Sequence, residues 1–221
     1  MKNDRIGLFG GTFNPIHRGH IRVAENVEEK FNLGRILFIP SYIPPHKGSF
    51  HIASPEHRME MVKLAVSIHP GFHPSAIEIE EKGTSYSIFT LKKVRKIYSE
   101  AEIFFILGID AFLEIETWKD TQEVLRQCSF IVVSRPGYRL GKAHDTLGGK
   151  HSLVEIGEGT DMKIVQENDP SARIFLFTID ALDISSSEIR QRAREGLSIK
   201  ELVPESVEIY IQDNMLYQER K

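Results

Sequence analysis

Two histidines with a three-residue spacing are the residues of this chain best suited to chemistry on a phosphate. They close the string Gly10-Gly11-Thr12-Phe13-Asn14-Pro15-Ile16-His17-Arg18-Gly19-His20, which lies between a strand-like run and an amphipathic helical pattern. The spacing predicts that both imidazoles share one face of the first helical turn, with Gly19 keeping the space between them open. Imidazole donors at a helix N-terminus suit a phosphate whose negative charge grows during group transfer.

Two other interpretations of the histidine pair stay open at the level of sequence. A His-x-x-His pair also occurs in metal sites, but no third histidine, cysteine or carboxylate lies nearby in the sequence, so we predict no protein-held metal. The histidines could also serve only to cap the helix. Gly10 and Gly11 favour the phosphate interpretation, because they let the backbone approach a bulky anion without a Cβ in the way.

A second anion site is predicted near the other end of the chain. Ser185 and Glu188 form a capping-box pattern, so we expect a helix to begin there, with Gly196 as its stop. The hydroxyls of 185–187 and the free N–H groups of this terminus would form a cradle for an anion. Arg190 lies within about one turn and could reach a phosphate with its planar fork of donors. The alternative is an ordinary capped helix with a solvated arginine.

A basic loop follows the second strand-like run. The two prolines of Pro44-Pro45-His46-Lys47 stiffen this loop and would hold His46 and Lys47 near the same sheet edge as the histidine string. The pair is therefore a candidate cationic clamp for phosphates. The alternative is a surface loop with an incidental basic pair.

The order of elements predicts how these segments meet. Short β-branched and aromatic runs alternate with helical patterns, which indicates a Rossmann-like α/β fold: one domain over 1–221 with a doubly wound, mainly parallel sheet and helices on both faces. Ligands of such sheets bind outside the carboxyl ends of the strands, where the Gly10–His20 string lies. The predicted strands are Arg5–Phe9, Arg35–Pro40, Ala76–Glu80, Glu102–Leu107, Phe130–Val133 and Ile174–Phe177.

Helix signals fall between these strands. The first helix would begin near His17 and stop at Gly34, and another would run from Ser87 to Tyr98. A third would open at Ser54-Pro55, an N-cap followed by a first-turn proline. The residues predicted to face the core are Ile21, Ala24, Val27 and Phe31 of the first helix and Met59, Val62 and Ala65 of the third.

One stretch breaks the alternation. Residues 138–171 are rich in glycine and poor in periodic apolar residues, so we predict an irregular insertion here. At most, Leu153–Ile156 and Met162–Val165 would pair as a hairpin. Residues 185–221 would form a C-terminal helical segment.

Composition excludes several classes of protein. A net charge of −3 and the lack of a basic stripe with interleaved aromatic residues argue against a nucleic-acid partner or an anionic membrane surface. The single cysteine, Cys128, allows no disulfide framework and begins an apolar run, so we expect a buried, inert thiol. The N-terminal residues carry no signal-peptide pattern and no apolar run could span a bilayer, which predicts a cytoplasmic protein.

The two predicted phosphate sites together resemble a known superfamily. The string ending at His20 has every fixed position of Gly-x-Phe-x-Pro-x-His-x-Gly-His, a signature of adenylyl- and cytidylyltransferases. Residues 184–190 resemble the superfamily's second motif, Ile-Ser-Ser-Thr-x-Ile-Arg, with Ser187 in place of threonine. The resemblance implies that His17 and His20 contact the phosphates and stabilise the transition state. It further implies catalytic roles for Lys47 and Arg190 and ATP binding by Gly10, Gly11, Thr12, Phe13, Ser185, Ser186 and Ser187.

Nearly the whole chain is similar to bacterial nicotinate-nucleotide adenylyltransferases. The matching segments are Pro44–Lys47, Ser85–Ser87, Leu107–Leu113 leading to Trp118, Ser134–Gly137, and the tail from Leu202 to Tyr217. The resemblance implies that the adenylyl group of ATP, carried with Mg²⁺, is transferred to nicotinate mononucleotide. The sequence leaves the oligomeric state open, with a homo-oligomer as one alternative. The implied adenosine contacts are Gly108, Asp110 and Arg135, and the implied acceptor contacts are Asn14, Ser41, His46, Thr84, Tyr86, Ser87 and Trp118.

Two departures from the family pattern and several rival functions accompany this resemblance. Phe89 stands where many relatives have a polar residue, so the detail of the acceptor pocket does not carry over from the family, and Asn14 replaces a commoner aspartate with little expected effect. The rival acceptors are nicotinamide mononucleotide and phosphopantetheine, although Trp118 and the Ser-Tyr-Ser segment argue against the latter. A non-catalytic nucleotide sensor would be expected to have lost the histidines. An RNA-binding module is the remaining alternative.

Overall fold

Seven parallel strands form one sheet in the computed structural model, which describes residues 5–44, 52–134, 140–149, 151–157, 159–180 and 182–218. Their order across the sheet is β3-β2-β1-β4-β5-β7-β6. This is the Rossmann-like, doubly wound arrangement that the sequence predicts. The strands are β1 (Arg5–Gly11), β2 (Arg35–Pro40), β3 (Phe72–Pro74), β4 (Glu102–Gly108), β5 (Ser129–Val133), β6 (Leu153–Ile156) and β7 (Ile174–Phe177).

Helices connect the strands and cover both faces of the sheet. The longer ones are α1 (Arg18–Phe31), α2 (Pro55–Val66), α3 (Ser87–Ile97), α7 (Ser186–Arg194) and α8 (Glu205–Asp213), and the shorter ones are α4 (Ile109–Leu113), α5 (Thr121–Gln127) and α6 (Met162–Asn168). One core lies under α1, α2, α7 and α8, and a second lies under α3, α4 and α5. Because both faces are covered, the central strand β4 is buried from Ile103 to Leu107.

The order of strands reverses between β1 and β4. From β1 the chain continues outward to β2 and β3, whereas β4 lies on the other side of β1 and is followed outward by β5. Such a reversal opens a crevice outside the carboxyl ends of the two strands, which is where ligands bind in this class of sheet. Gly11 ends β1 beside Pro40, and Gly108 ends β4 beside Val133, so both glycines lie at this crevice.

Several helix predictions are confirmed. Helix α1 buries Ile21, Ala24, Val27 and Phe31 against the sheet, as their spacing indicates. It ends earlier than predicted, because Asn32 adopts the left-handed conformation with φ of 48° and terminates the helix before Gly34. In α2, Met61 and Arg58 enter the core beside Val62 and Ala65, whereas Met59 is only half-buried.

The predicted strand Ala76–Glu80 is wrong. Alternating apolar and acidic residues imitate a half-buried strand, but residues 77–82 form turns and the edge strand is β3 instead. The side chain of Glu78 is drawn inward, where its Oε1 accepts a hydrogen bond of 2.6 Å from Thr90 Oγ1. Burial raises the pKa of Glu78. A tertiary contact therefore overrides the local pattern.

The predicted hairpin in 138–171 is also wrong. Leu153–Ile156 is a strand, but it pairs in parallel with β7 at the edge of the sheet. Met162–Val165 belongs to α6, where the Asp161 carboxylate caps the helix by accepting a hydrogen bond of 2.8 Å from the Lys163 N–H. This part of the chain is a strand–helix–strand crossover, and its short elements depend on packing against the sheet.

Cys128 supplies a prediction about reactivity. The thiol is buried before β5, its Sγ lies 3.7 Å from the Val124 carbonyl, and burial raises its pKa to about 12. We expect no reaction of the native protein with a thiol-specific disulfide reagent at pH 8, and one equivalent of reaction per chain in urea. Rapid labelling of the native protein would contradict the buried placement.

Candidate active site

The histidine pair lies at the beginning of α1, at the crevice. His17 is the N-cap of α1 and is 7% exposed, and the two imidazole rings lie against each other with their centroids 3.7 Å apart and their planes tilted by 31°. The backbone N–H of His17 donates a hydrogen bond of 3.2 Å to Nδ1 of His20. Because Nδ1 accepts, the proton of a neutral His20 ring resides on Nε2. His20 can therefore offer an Nε2–H donor to an anion.

Aromatic packing fixes the orientation of His20. The edges of Phe9 and Phe13 meet its ring, with the Phe13 and His20 centroids 5.1 Å apart. Phe13 itself has a left-handed backbone with φ of 46°, a conformation that a bulky residue holds only where its surroundings demand it. A Cβ at Gly11 would come within 3.1 Å of the Phe13 ring. Gly11 is therefore needed for this aromatic support as well as for access of an anion.

Gly19 provides a direct test of the position of His17. A Cβ at Gly19 would lie 3.0 Å from Nδ1 and 3.1 Å from Cε1 of His17, so the imidazole would have to move by a few tenths of an ångström. We expect Gly19→Ala to lower kcat by roughly tenfold through misplacement of the ring, with little change in the melting temperature. Unaltered kcat would show that the position of the His17 ring does not matter for turnover.

The structure brings the second motif to the histidine loop. Ser185 caps α7 by accepting a hydrogen bond of 3.1 Å from the Glu188 N–H, as predicted, and Ser186 Oγ donates to the carbonyl of Pro15 at 3.0 Å. Arg190 Nη1 donates at 2.9 Å to the carbonyl of Asn14, which is 176 residues away in the chain. Its Nη2 lies 3.2 Å from Ser187 Oγ. The two predicted phosphate motifs are therefore in direct contact beside the crevice, in a region that we call the cleft.

The predicted adenosine residues lie at the end of β4. Gly108 is the N-cap of α4, and Asp110 lies in the first turn of that helix. These positions are next to β1 across the crevice, because β1 and β4 are neighbouring strands. Arg135, the third predicted adenosine contact, lies outside the described residues.

The predicted acceptor residues lie beside the chain that follows β2. Ser41 is buried and its N–H donates to the carbonyl of Gly11 at 2.9 Å. Thr84 pairs with Ile43 in an isolated bridge, and Ser85 accepts a hydrogen bond of 2.9 Å from the Tyr42 N–H. His46 and Lys47, the predicted cationic clamp, lie outside the described residues.

Aromatic residues continue this region along α3. Tyr86 is the N-cap of α3, immediately before Ser87, and its ring meets that of Phe89 edge-on at 6.0 Å. The ammonium group of Lys119 lies 4.8 Å from the centroid of each of these two rings. Trp118 packs against Phe105, with the ring centroids 5.7 Å apart. Phe89 itself is 43% exposed, and the face of its ring is in cation–π contact with Lys119.

Sequence analysis missed one residue of this region, Arg58. It is 1% exposed, and within the described part of the chain its guanidinium donates to backbone carbonyls, including that of Thr12 at 2.8 Å. Burial lowers its pKa. The available signal was periodicity: with Met61, Val62 and Ala65, the spacing of Arg58 places it on the buried stripe of α2.

Asn14 also has more contacts than its sequence context indicates. Its Oδ1 accepts hydrogen bonds from the Ala53 N–H at 3.0 Å and from the Tyr217 hydroxyl at 2.9 Å. Burial raises the pKa of Tyr217, which keeps that hydroxyl protonated as a donor. An aspartate could accept the same two hydrogen bonds, in line with the small effect expected of this departure. The C-terminal tail is thereby tied to the histidine loop.

The described residues also bear on metal-dependent and membrane-bound classes of function. No group of three or more histidine, cysteine, aspartate or glutamate side chains suited to a metal ion occurs among them. Within the same residues, no helix is both long and apolar enough to cross a membrane.

Comparison with known proteins agrees with this geometry. The Cytidylyltransferase-like family matches residues 8–192. A protein of Desulfitobacterium hafniense named probable nicotinate-nucleotide adenylyltransferase is 41% identical over 215 residues, covering 96% of this chain and 95% of its own. A protein of the same name from Geotalea daltonii is 41% identical over 213 residues, covering 96% and 98%.

A solved structure shares the fold. The Plasmodium falciparum nicotinic acid mononucleotide adenylyltransferase complexed with NaAD has a TM-score of 0.72 and 18% identity, covering 97% of each chain. At this identity the likeness concerns the fold. Given relatives of about 40% identity over nearly its whole length, together with both phosphate motifs in one cleft, the chain belongs to the nicotinate-nucleotide adenylyltransferase family.

Proposed function

We propose that this protein transfers the adenylyl group of ATP to the phosphate of nicotinate mononucleotide, giving nicotinate adenine dinucleotide and pyrophosphate. One observation carries the proposal most directly. Arg190 of α7 donates a hydrogen bond to the loop that holds His17 and His20, and this contact between the two ends of the chain near the switch point of the sheet supports a common phosphate site. The names of the relatives supply the nature of the acceptor.

The ATP side of the cleft would work by positioning and charge stabilisation. The triphosphate would lie over Gly10 and Gly11, between the histidines and the cradle formed by 185–187. Residues that would bind ATP around it are Thr12, Phe13, Gly108, Asp110 and Arg135. His20 Nε2–H and the Arg190 guanidinium would donate to oxygens whose negative charge grows in the transition state.

The chemical step needs no general base. An oxygen of the acceptor phosphate is already ionised and would form a bond to the α-phosphorus in line with the leaving group. The bond from the α-phosphorus to the oxygen that bridges to the β-phosphorus would break, and that oxygen would leave with pyrophosphate. Catalysis would then consist of holding the two reactants in line and stabilising the charge, to which Lys47 would contribute.

Mg²⁺ would enter as part of the ATP substrate. Magnesium prefers oxygen ligands and is commonly held by substrate phosphates, so it needs no dedicated cage of side chains. When bound, it would neutralise part of the triphosphate charge.

The acceptor side would use the region around Tyr86. Tyr86, Ser87 and Trp118 would hold the nicotinate ring and its carboxylate, and Asn14, Ser41, His46 and Thr84 would contact the rest of the acceptor. The Lys119 ammonium lies beside the Tyr86 ring, in a region that also holds Glu78 and Glu81. A pairing of this cation with the nicotinate carboxylate would favour nicotinate over the neutral amide of nicotinamide mononucleotide.

A pyrophosphate-release assay tests the proposal. The protein is incubated with ATP, Mg²⁺ and one of three acceptors: nicotinate mononucleotide, nicotinamide mononucleotide or phosphopantetheine. We expect release with nicotinate mononucleotide to exceed the others, and mass spectrometry to identify the dinucleotide product. A preference for another acceptor would overturn the acceptor assignment, and ATP binding without turnover on any of them would indicate a nucleotide sensor.

The cytoplasmic compartment and a homo-oligomeric state stay predictions.

A further inference from the structure

We propose that Arg58 is a positioning residue that fixes the spacing between the ATP side and the acceptor side of the cleft. The inference rests on the proposed function, because it assumes that the two sides bind the two substrates. Arg58 lies in the first turn of α2 and is almost completely buried. Its hydrogen bonds in the described part of the chain go to backbone carbonyls, and the one to Thr12 reaches a residue of the predicted ATP-binding set through its main chain.

The guanidinium of Arg58 joins three separate segments. Its Nε donates to the carbonyl of Ala53 at 3.0 Å, its Nη1 to that of Thr12 at 2.8 Å, and its Nη2 to that of Tyr42 at 3.1 Å. Each nitrogen thus serves a different stretch of backbone. The planar fork sets the relative positions of all three carbonyls at once.

Two of these segments lead to opposite sides of the cleft. Thr12 immediately precedes Phe13, which packs against His20, so this contact supports the phosphate-binding loop. Tyr42 follows β2, and its N–H is bound by Ser85 at the edge of the predicted acceptor region. Through its hydrogen bonds to the Thr12 and Tyr42 carbonyls, Arg58 therefore links the loop that supports His20 to the chain that contacts Ser85, next to Tyr86.

The third contact closes the network around Asn14. Ala53 accepts from Arg58 with its carbonyl and donates with its N–H to Asn14 Oδ1 at 3.0 Å. The carbonyl of Asn14 in turn accepts from Arg190. A chain of hydrogen bonds therefore runs from Arg58 through Ala53 and Asn14 to Arg190, and so connects Arg58 with both phosphate motifs.

Burying a charged arginine in this place is costly unless its geometry is used. Within the described residues no carboxylate lies within ion-pair distance of Arg58, although Glu56 and Glu78 are near enough to favour its charge. The groups in direct contact with the cation there are backbone carbonyls. Well-packed apolar residues of similar volume often stabilise a protein as much as buried charges do. Neither an apolar side chain nor a lysine could donate hydrogen bonds to all three segments at once in this geometry.

The test is Arg58→Lys in the full chain. Lysine keeps the charge but offers one nitrogen, so the spacing between the two sides is no longer fixed. We expect kcat to fall by at least roughly tenfold, while the KM values for ATP and for the acceptor change less than about threefold. The dinucleotide product occupies both sides, so its Kd should rise by more than the Kd of either substrate measured alone.

Arg95→Lys is the matched control. Arg95 also donates to two backbone carbonyls, those of Ala101 and Gln127. These residues precede β4 and β5, at the amino-terminal ends of the strands and away from the cleft. This variant should lose some thermal stability but keep wild-type kcat and product affinity. If Arg58→Lys behaves like Arg95→Lys, Arg58 is only structural and the proposal is wrong.

A milder variant decides the matter if Arg58→Lys does not fold. Ser85→Ala removes the hydrogen bond that couples Tyr42 to the acceptor region, and it should show the same signature at smaller size: lower kcat and weaker product binding, with the substrate affinities nearly kept. Unchanged kcat and product affinity in Ser85→Ala would then overturn the proposal. Failure of the wild-type protein to form the dinucleotide is a separate outcome, which concerns the proposed function itself.

Discussion

Replacing His20 with alanine is expected to lower kcat by roughly a hundredfold or more, the scale of losing one transition-state donor. The expectation follows from the tautomer of His20: its Nδ1 accepts a hydrogen bond from the His17 N–H, so the ring proton that would be donated to the phosphate is on Nε2. The fold should tolerate the change, because His20 is only half-buried and the apolar face of α1 is untouched. Steady-state kcat with ATP and nicotinate mononucleotide is the measurement. Near-normal turnover would remove His20 from the catalytic machinery.

Two amide variants show which nitrogen of His20 matters. The amide nitrogen of glutamine can occupy the place of Nε2, whereas that of asparagine lies near the place of Nδ1. We expect His20→Gln to retain measurably more activity than His20→Asn. The reverse order would indicate that Nδ1 is the group that acts and that its hydrogen bond with the His17 N–H is broken during catalysis.

Replacing Arg190 with alanine is expected to lower kcat/KM for ATP by roughly tenfold to a hundredfold, the scale of one or two charge-assisted hydrogen bonds. Its hydrogen bonds to the Asn14 carbonyl and to Ser187 hold the guanidinium in the cleft and use two of its five N–H donors. The others can be donated to a phosphate. Both ATP affinity and rate should therefore fall together.

Controls for Arg190 come from the same residue and the same helix. Arg190→Lys keeps the charge but loses the fork and should lie between the wild type and the alanine variant. Arg194 is exposed on α7, two turns after its cap, and Arg194→Ala should leave kcat/KM unaltered. Equal activity of Arg190→Ala and Arg194→Ala would mean that Arg190 only anchors the loop.

The parts of this molecule that sequence could predict are those controlled by local pattern. The helical spacing of Ile21, Ala24, Val27 and Phe31 placed α1 correctly, and the Ser185 cap placed the beginning of α7. Continuous apolar runs identified β4 and β5, because strands covered on both faces have no polar side. Each motif follows a strand of the sheet, and parallel strands end at the same edge, so both motifs were expected at that carboxyl edge.

The parts that sequence analysis missed depend on partners distant in the chain. The alternation around Glu78 resembles a strand, and only the tertiary hydrogen bond from Thr90 explains why it is turned inward. Arg58 was overlooked because arginine is rarely buried, although its helical spacing placed it on the core face. The bond between Tyr217 and Asn14 spans 203 residues, and no local pattern could reveal it.

A crystal structure of the protein with a non-hydrolysable ATP analogue tests the central claim most directly. We expect oxygens of one triphosphate to lie within about 3.5 Å of both His20 Nε2 and the Arg190 guanidinium. His17 should face the same triphosphate, and the adenine should lie toward the end of β4. A triphosphate bound elsewhere on the sheet, with His20 and Arg190 directed at different regions of the molecule, would contradict the account.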